Sequence, residues 1–106
     1  MTTFADREKE FETRFKHDQE LRFKVAARRN RMLGLWAAQI LGLSGEAADA
    51  YAKEIVQAQL QPQGDRHVVD KLVADLSAKD PGISPARVRF ELEHLAQQAK
   101  QQLMRE

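Results

Sequence analysis

A chain of 106 residues, 42% apolar and 31% charged, is sized for one domain around a modest hydrophobic core. It contains no cysteine, which excludes disulfide frameworks, thiolate zinc sites and cysteine nucleophiles and fits a reducing compartment. The net charge of +1 is unevenly placed, with nine Lys/Arg against six Asp/Glu in residues 1–31 and eight against ten in the remainder. Such a dipolar layout is suited to steering a partner and is too weak for a dedicated nucleic-acid binder. No apolar run approaches the ~18 residues of a membrane span. The charged N-terminus also lacks the apolar stretch of a signal peptide.

The opening stretch, "MTTFADREKEFETRFKHDQEL", places three of the five phenylalanines within fifteen residues, separated almost entirely by charge. Residues 4–20 favour a helix. Thr3 and Asp6 have the spacing of a capping-box variant. Glu10–Arg14, Glu12–Lys16, Asp18–Arg22 and Glu20–Lys24 are acid-before-base pairs at i,i+4, each contributing only ~0.3 kcal/mol. Phe4, Phe11 and Phe15 share one side of that helix, because separations of seven and four residues are near-whole numbers of turns.

The stripe is narrow, is interrupted by Glu8, and does not continue in phase into Val25 and Trp36. A short helix without tertiary support is marginal in water. Residues 1–18 are therefore expected to be frayed or disordered in the free chain and to fold against a partner, as in helix-in-groove recognition. Fully burying each ring is worth roughly 1.5–3 kcal/mol. The competing expectation is an N-terminal helix packed loosely on its own domain.

The rest of the chain reads as four helices, with no strand-like alternation anywhere. The first spans about 19–42, with Val25, Met32, Leu33, Trp36 and Ile40 at helical spacing and Gly42 placed as its left-handed C-terminal residue. Ser44 is positioned to cap the second, at about 45–60, which has Ala48, Tyr51, Ala52 and Ile55 inward. After the turn "QPQG", Asp65 is the expected N-cap of a third helix over 65–78, faced by Val68, Val69, Leu72, Val73 and Leu76. "KDPG" ends it. Ser84 as N-cap, Pro85 at the first helical position and the Ile83–Val88 staple mark a fourth helix at about 85–104, lined by Val88, Leu92, Leu95, Ala99 and Leu103. The fold class expected is all-α: a four-helix bundle over residues 19–106 preceded by a mobile or partly helical segment.

Chemistry is sparse. There is no phosphate-cradling loop of the Gly-x-x-x-x-Gly-Lys-Ser/Thr type, and helix punctuation accounts for "GLSGEA". His17, His67 and His94 lack i,i+3 or i,i+4 ligand partners, so no metal is expected. Ser44, Ser77 and Ser84 have cap or turn roles. The densest basic run, "RFKVAARRNR", supplies Arg22, Lys24, Arg28, Arg29 and Arg31 as candidate contacts for an anion, for ATP or ADP bound weakly, or for an acidic protein surface. A solvated helix face is the bland alternative. Interleaved acids across 6–24 cancel most of the attraction to an anionic membrane.

The strings "DREKEFETRF", "ELRFKVAARRNRMLGLWAA" and "YAKEIV" resemble the alphaproteobacterial zeta subunit of the F-type ATP synthase, the inhibitor of its catalytic sector. The resemblance implies a four-helix bundle with an N-terminal inhibitory segment. That segment would enter the interface between an alpha and a beta subunit near the gamma subunit, and would block ATP hydrolysis without catalysing a reaction of its own. Carried onto this chain, the segment covers about Met1 to Gln19, with Phe4, Arg7, Phe11, Arg14 and Phe15 as its expected contacts. The resemblance also implies a protein that is monomeric when free, needs no cofactor, and is cytoplasmic and peripheral to the membrane-bound synthase. Two other readings stand beside it: a nucleotide-sensing ligand module centred on Arg22 to Arg31, and a helical adaptor for another protein partner.

Overall fold

The computed structural model describes residues 3–106. Among these residues the chain forms five helices and no strand: α1 (Phe4–His17), α2 (Gln19–Leu41), α3 (Gly45–Ala58), α4 (Asp65–Leu76) and α5 (Pro85–Met104). The expected all-α class is observed, and α2 to α5 are the four bundle helices. No helix among the described residues is long and apolar enough to cross a membrane.

The main core is assembled from one face of each bundle helix. Leu33, Ala37 and Ala38 of α2 meet Tyr51 and Ile55 of α3, Val68, Leu72 and Leu76 of α4, and Val88, Leu92 and Leu95 of α5. The central element is α2, which packs against all four other helices. It comes closest to α3 at Gly34, where a β-carbon would lie 2.6 Å from the Ala52 Cα and 3.1 Å from its Cβ. Glycine is needed there because two backbones meet, not because the turn is unusual.

Helix ends follow local chemistry. Gly42 closes α2 with φ 77°, and Leu43 N–H donates to the Ala38 carbonyl at 2.8 Å, the bond that ties a left-handed helix end back onto its last turn. The Ser84 hydroxyl accepts from Arg87 N–H at 3.1 Å, with Pro85 at the first helical position. Two expected caps differ. Ser44 occupies the N-cap position of α3 but its side chain caps nothing. Asp65 is the first residue inside α4 and Gly64, with φ 52°, is the N-cap. The Asp65 carboxylate instead binds Arg29 at 2.7 Å, so a tertiary ion pair takes it from the cap.

Two polar clusters tie the helices laterally. Asn30, fully buried, donates to the Gln59 side-chain carbonyl at 3.2 Å, while Arg29 donates to Asn30, Gln59 and Asp65. This joins α2 to the end of α3 and the start of α4. Across the bundle, the Tyr51 hydroxyl donates to Asp75 at 2.7 Å, and Lys71 holds Asp75 at 3.0 Å and Glu54 at 3.7 Å. Burial, then the hydrogen bond to Asp75 and its charge, then the charge of Glu54, push the Tyr51 hydroxyl well above the ordinary tyrosine range.

Gly34→Ala should lower unfolding free energy by about 1–3 kcal/mol, the usual cost of forcing a packed contact apart, read as the midpoint shift in urea denaturation. A second expectation concerns alkali. The raised Tyr51 pKa means that its contribution is complete below the unfolded tyrosine value of about 10 and declines as pH climbs above it. Tyr51→Phe should flatten that alkaline decline in a thermal-melt series.

Candidate functional site

The segment expected to be frayed is a fourteen-residue helix lying against the bundle. The capping box is present in full: the Thr3 hydroxyl accepts from Asp6 N–H and the Asp6 carboxylate accepts from Thr3 N–H, both at 3.2 Å. At the other end, Asp18 adopts an extended conformation (φ −104°, ψ 102°) and separates α1 from α2. Its carboxylate accepts from Leu21 N–H at 3.1 Å and so caps α2. The last carbonyls of α1 take their donor from α2, where one guanidinium nitrogen of Arg22 donates to Phe15 O at 3.1 Å and Lys16 O at 2.8 Å.

This joint sets where the stripe lands. One extended residue re-aims α1, and Phe11 becomes buried at 6% exposure beside Leu21, Val25 and Ala99, with Phe15, Leu103 and Met104 around them. The stripe is thereby divided. Phe11 is buried and Phe15 is half-buried, whereas Phe4 is 59% exposed and Arg7 and Arg14 are exposed. Residues 3–10 include no buried side chain.

The expected ion pairs are only partly formed. Lys24 reaches Glu20 at 3.6 Å. Arg14 turns to Asp18 at 4.0 Å instead of Glu10, and Arg22 serves carbonyls instead of Asp18. Glu12 meets Lys100 of α5 at 3.5 Å instead of Lys16. The Lys100 ammonium also stands 4.1 Å from the centroid of the Phe15 ring. Glu12 and Lys100 are absent from the sequence-derived contacts, since the signal joining them is tertiary and Lys100 is an ordinary basic residue in a glutamine-rich helix end.

The basic run does not form a single cluster. Arg29 is turned into the α2–α3–α4 network and Arg22 to the α1 carbonyls. Lys24, Arg28 and Arg31 line an open groove of about 580 Å³ with Phe23, Val56 and Leu103. The groove cations already face carboxylates: Arg28 is 2.6 Å from Glu106 and Arg31 is 3.6 Å from Asp49. Among the described residues, no three His, Cys, Asp or Glu side chains are grouped to hold a metal ion.

The fold and this geometry define a small all-helical bundle carrying an appended, charged amphipathic helix on a one-residue joint. The family of the ATPase inhibitor subunit zeta matches residues 1–102, and the chain belongs to it. The role of that family is inhibition of the ATP synthase. The chain is also similar to a structure solved by solution NMR, at 44% identity and a TM-score of 0.69, over 79% of this chain and 95% of that one. No curated protein matches the chain.

Phe4 and Phe11 should respond differently to truncation. Phe4→Ala should leave stability within about 0.5 kcal/mol of the parent, as for other exposed positions. Phe11→Ala should loosen α1 alone, seen in amide exchange as lost protection of residues 8–17 with α2–α5 unchanged.

Proposed function

We propose that this chain inhibits ATP hydrolysis by the ATP synthase by placing α1 between an alpha and a beta subunit of the catalytic sector, close to the gamma subunit. There it acts as a wedge and carries out no chemistry. The observation that carries this reading is the division of the apolar core. The main cluster draws its buried residues from α2, α3, α4 and α5 only, and α1 contributes Phe11 to a separate small cluster. A helix so attached can leave without opening the main core, which a displaceable inhibitory element requires.

The docking contacts proposed are Phe4, Arg7, Phe11, Arg14 and Phe15. Phe4, Arg7 and Arg14 are exposed while α1 is docked, so a first encounter can use them as they stand. The capping box and the acid in the first turn favour the helical state of the segment, which lowers the ordering cost of binding. α2, with its basic run, would continue from the wedge to the bundle body outside the interface.

The nucleotide reading finds less support. The groove formed by Lys24, Arg28 and Arg31 includes the Glu106 carboxylate beside Arg28, which would repel a phosphate. The adaptor reading has no geometric feature of its own.

Deleting residues 2–17 while keeping Asp18 as the α2 cap should leave the bundle folded, with helical circular dichroism and a cooperative melt. The same deletion should abolish inhibition of ATP hydrolysis by the cognate catalytic sector. Full inhibition by the truncated protein would rule out the wedge.

A further inference from the structure

We propose that Lys100 is the bolt of an internal latch: it holds α1 on the bundle by its inner face, so that release from the bundle competes with engagement of the partner. This rests on the reading that α1 is the inhibitory element.

Three contacts converge on the C-terminal half of α1, and all involve the last turns of α5. The Lys100 side chain is only 15% exposed, and its ammonium lies 3.5 Å from Glu12 Oε1 and 4.1 Å from the centroid of the Phe15 ring. Glu12 and Phe15 are three residues apart, so one cation engages two adjacent side chains of the same helix face. Immediately before Lys100, Ala99 is fully buried against the cluster that holds Phe11. Phe11, Glu12 and Phe15 thus meet one turn of α5, while Phe4, Arg7 and Arg14 stay exposed on the docked helix.

A ring buried on the bundle cannot at the same time fill a groove in a partner. Using the whole stripe therefore requires undocking, and the apparent affinity for the partner is reduced by the fraction of molecules in which α1 is docked. The hinge for that motion is already built. Asp18 is the single extended residue between the helices, and its carboxylate caps α2 through Leu21 N–H, a bond in which α1 takes no part. The latch is also small: one buried ring, one ion pair and one cation over an aromatic face. Such a contact is reversible, and its ionic part weakens with added salt.

The test uses the full chain with Lys100→Glu, which sets two carboxylates against each other, and Lys100→Met, which keeps the aliphatic stem and removes the charge. Amide exchange of residues 8–17 should accelerate about threefold to tenfold in Lys100→Glu and less in Lys100→Met, the scale expected for losing one partly buried ion pair and one cation–aromatic contact. The α2–α5 amides should keep their protection. Exchanging both charges, Glu12→Lys with Lys100→Glu, should recover part of the protection of residues 8–17. In the hydrolysis assay, the half-inhibitory concentration of Lys100→Glu should fall by a similar factor. Unchanged exchange in Lys100→Glu would overturn the latch, whatever the assay showed. Faster exchange with unchanged or poorer inhibition would overturn the competition and place docking on the already exposed residues alone. A parent protein that does not inhibit at all would overturn the wedge reading and the competition built on it, while the exchange result would still decide whether the latch exists.

Discussion

One helix has to serve as a wall for all the others. α2 packs against α1, α3, α4 and α5, whereas the backbones of α3 and α5 stay apart. A helix used on so many sides cannot carry the clean two-faced pattern of a surface helix. Its residues are accordingly mixed: alanines and Gly34 where backbones come close, Leu33 where a core has to be filled, and buried Asn30 where a polar join is made. The close approach at Gly34 lets α3 settle against α2. The Asn30–Gln59 and Arg29–Asp65 contacts then fix where α3 ends and α4 begins. With α2 so placed, its N-terminal turns and the last turns of α5 form the surface that α1 lands on beyond the joint at Asp18.

The joint lets one segment be ordered while few contacts hold it to the bundle. Arg22 satisfies carbonyls that α1 would otherwise leave to water, and Asp18 satisfies an amide at the start of α2, so the break leaves few backbone groups unpaired. The contacts beyond the joint are few and at one end. The inner half of α1 is held through Phe11, Glu12 and Phe15, and the outer half bears only exposed side chains. A graded attachment of this kind suits a helix that meets its partner with the free half first and gives up its own bundle contacts second.

The bundle helices were legible because their signals are local. Ser84–Pro85, Gly42 and the 3.6-residue spacing of Leu72, Leu76, Val88 and Leu92 each act within a turn or two of their position. The docking of α1 was legible only as one of two alternatives, because a narrow phenylalanine stripe among charges suits a helix packed on its own bundle as well as a free one, and Asp18 carries no marker of a break. Aspartate at that position reads equally well as a surface residue in an i,i+4 pair with Arg22. Asp65 failed as a cap for a related reason: a cap and a tertiary ion pair compete for one carboxylate, and the sequence does not show Arg29 arriving from thirty-six residues away. The wedge contacts came from the family resemblance joined to the phenylalanine stripe. Their division into a bundle-held and an exposed set is made by tertiary packing.

The charge asymmetry takes on a different meaning in three dimensions. Along the sequence, the basic excess of residues 1–31 and the acidic excess of the remainder look like a dipole available for steering. In the fold, Arg28, Arg29 and Arg31 reach Glu106, Asp65 and Asp49, so the basic run of α2 neutralises the acidic part of its own chain. Among the described ion pairs, Arg7, Lys9 and Lys16 do not appear, and all three lie on α1 alongside the equally exposed Glu8 and Glu10. What remains of the asymmetry is therefore a mixed-charge surface on the appended helix, not a basic patch on the bundle. Long-range attraction from such a surface is weak and short-ranged in physiological salt. If α1 is the docking element, as proposed, selectivity has to come from the placement of individual charges around Phe4 and Arg14 at close contact.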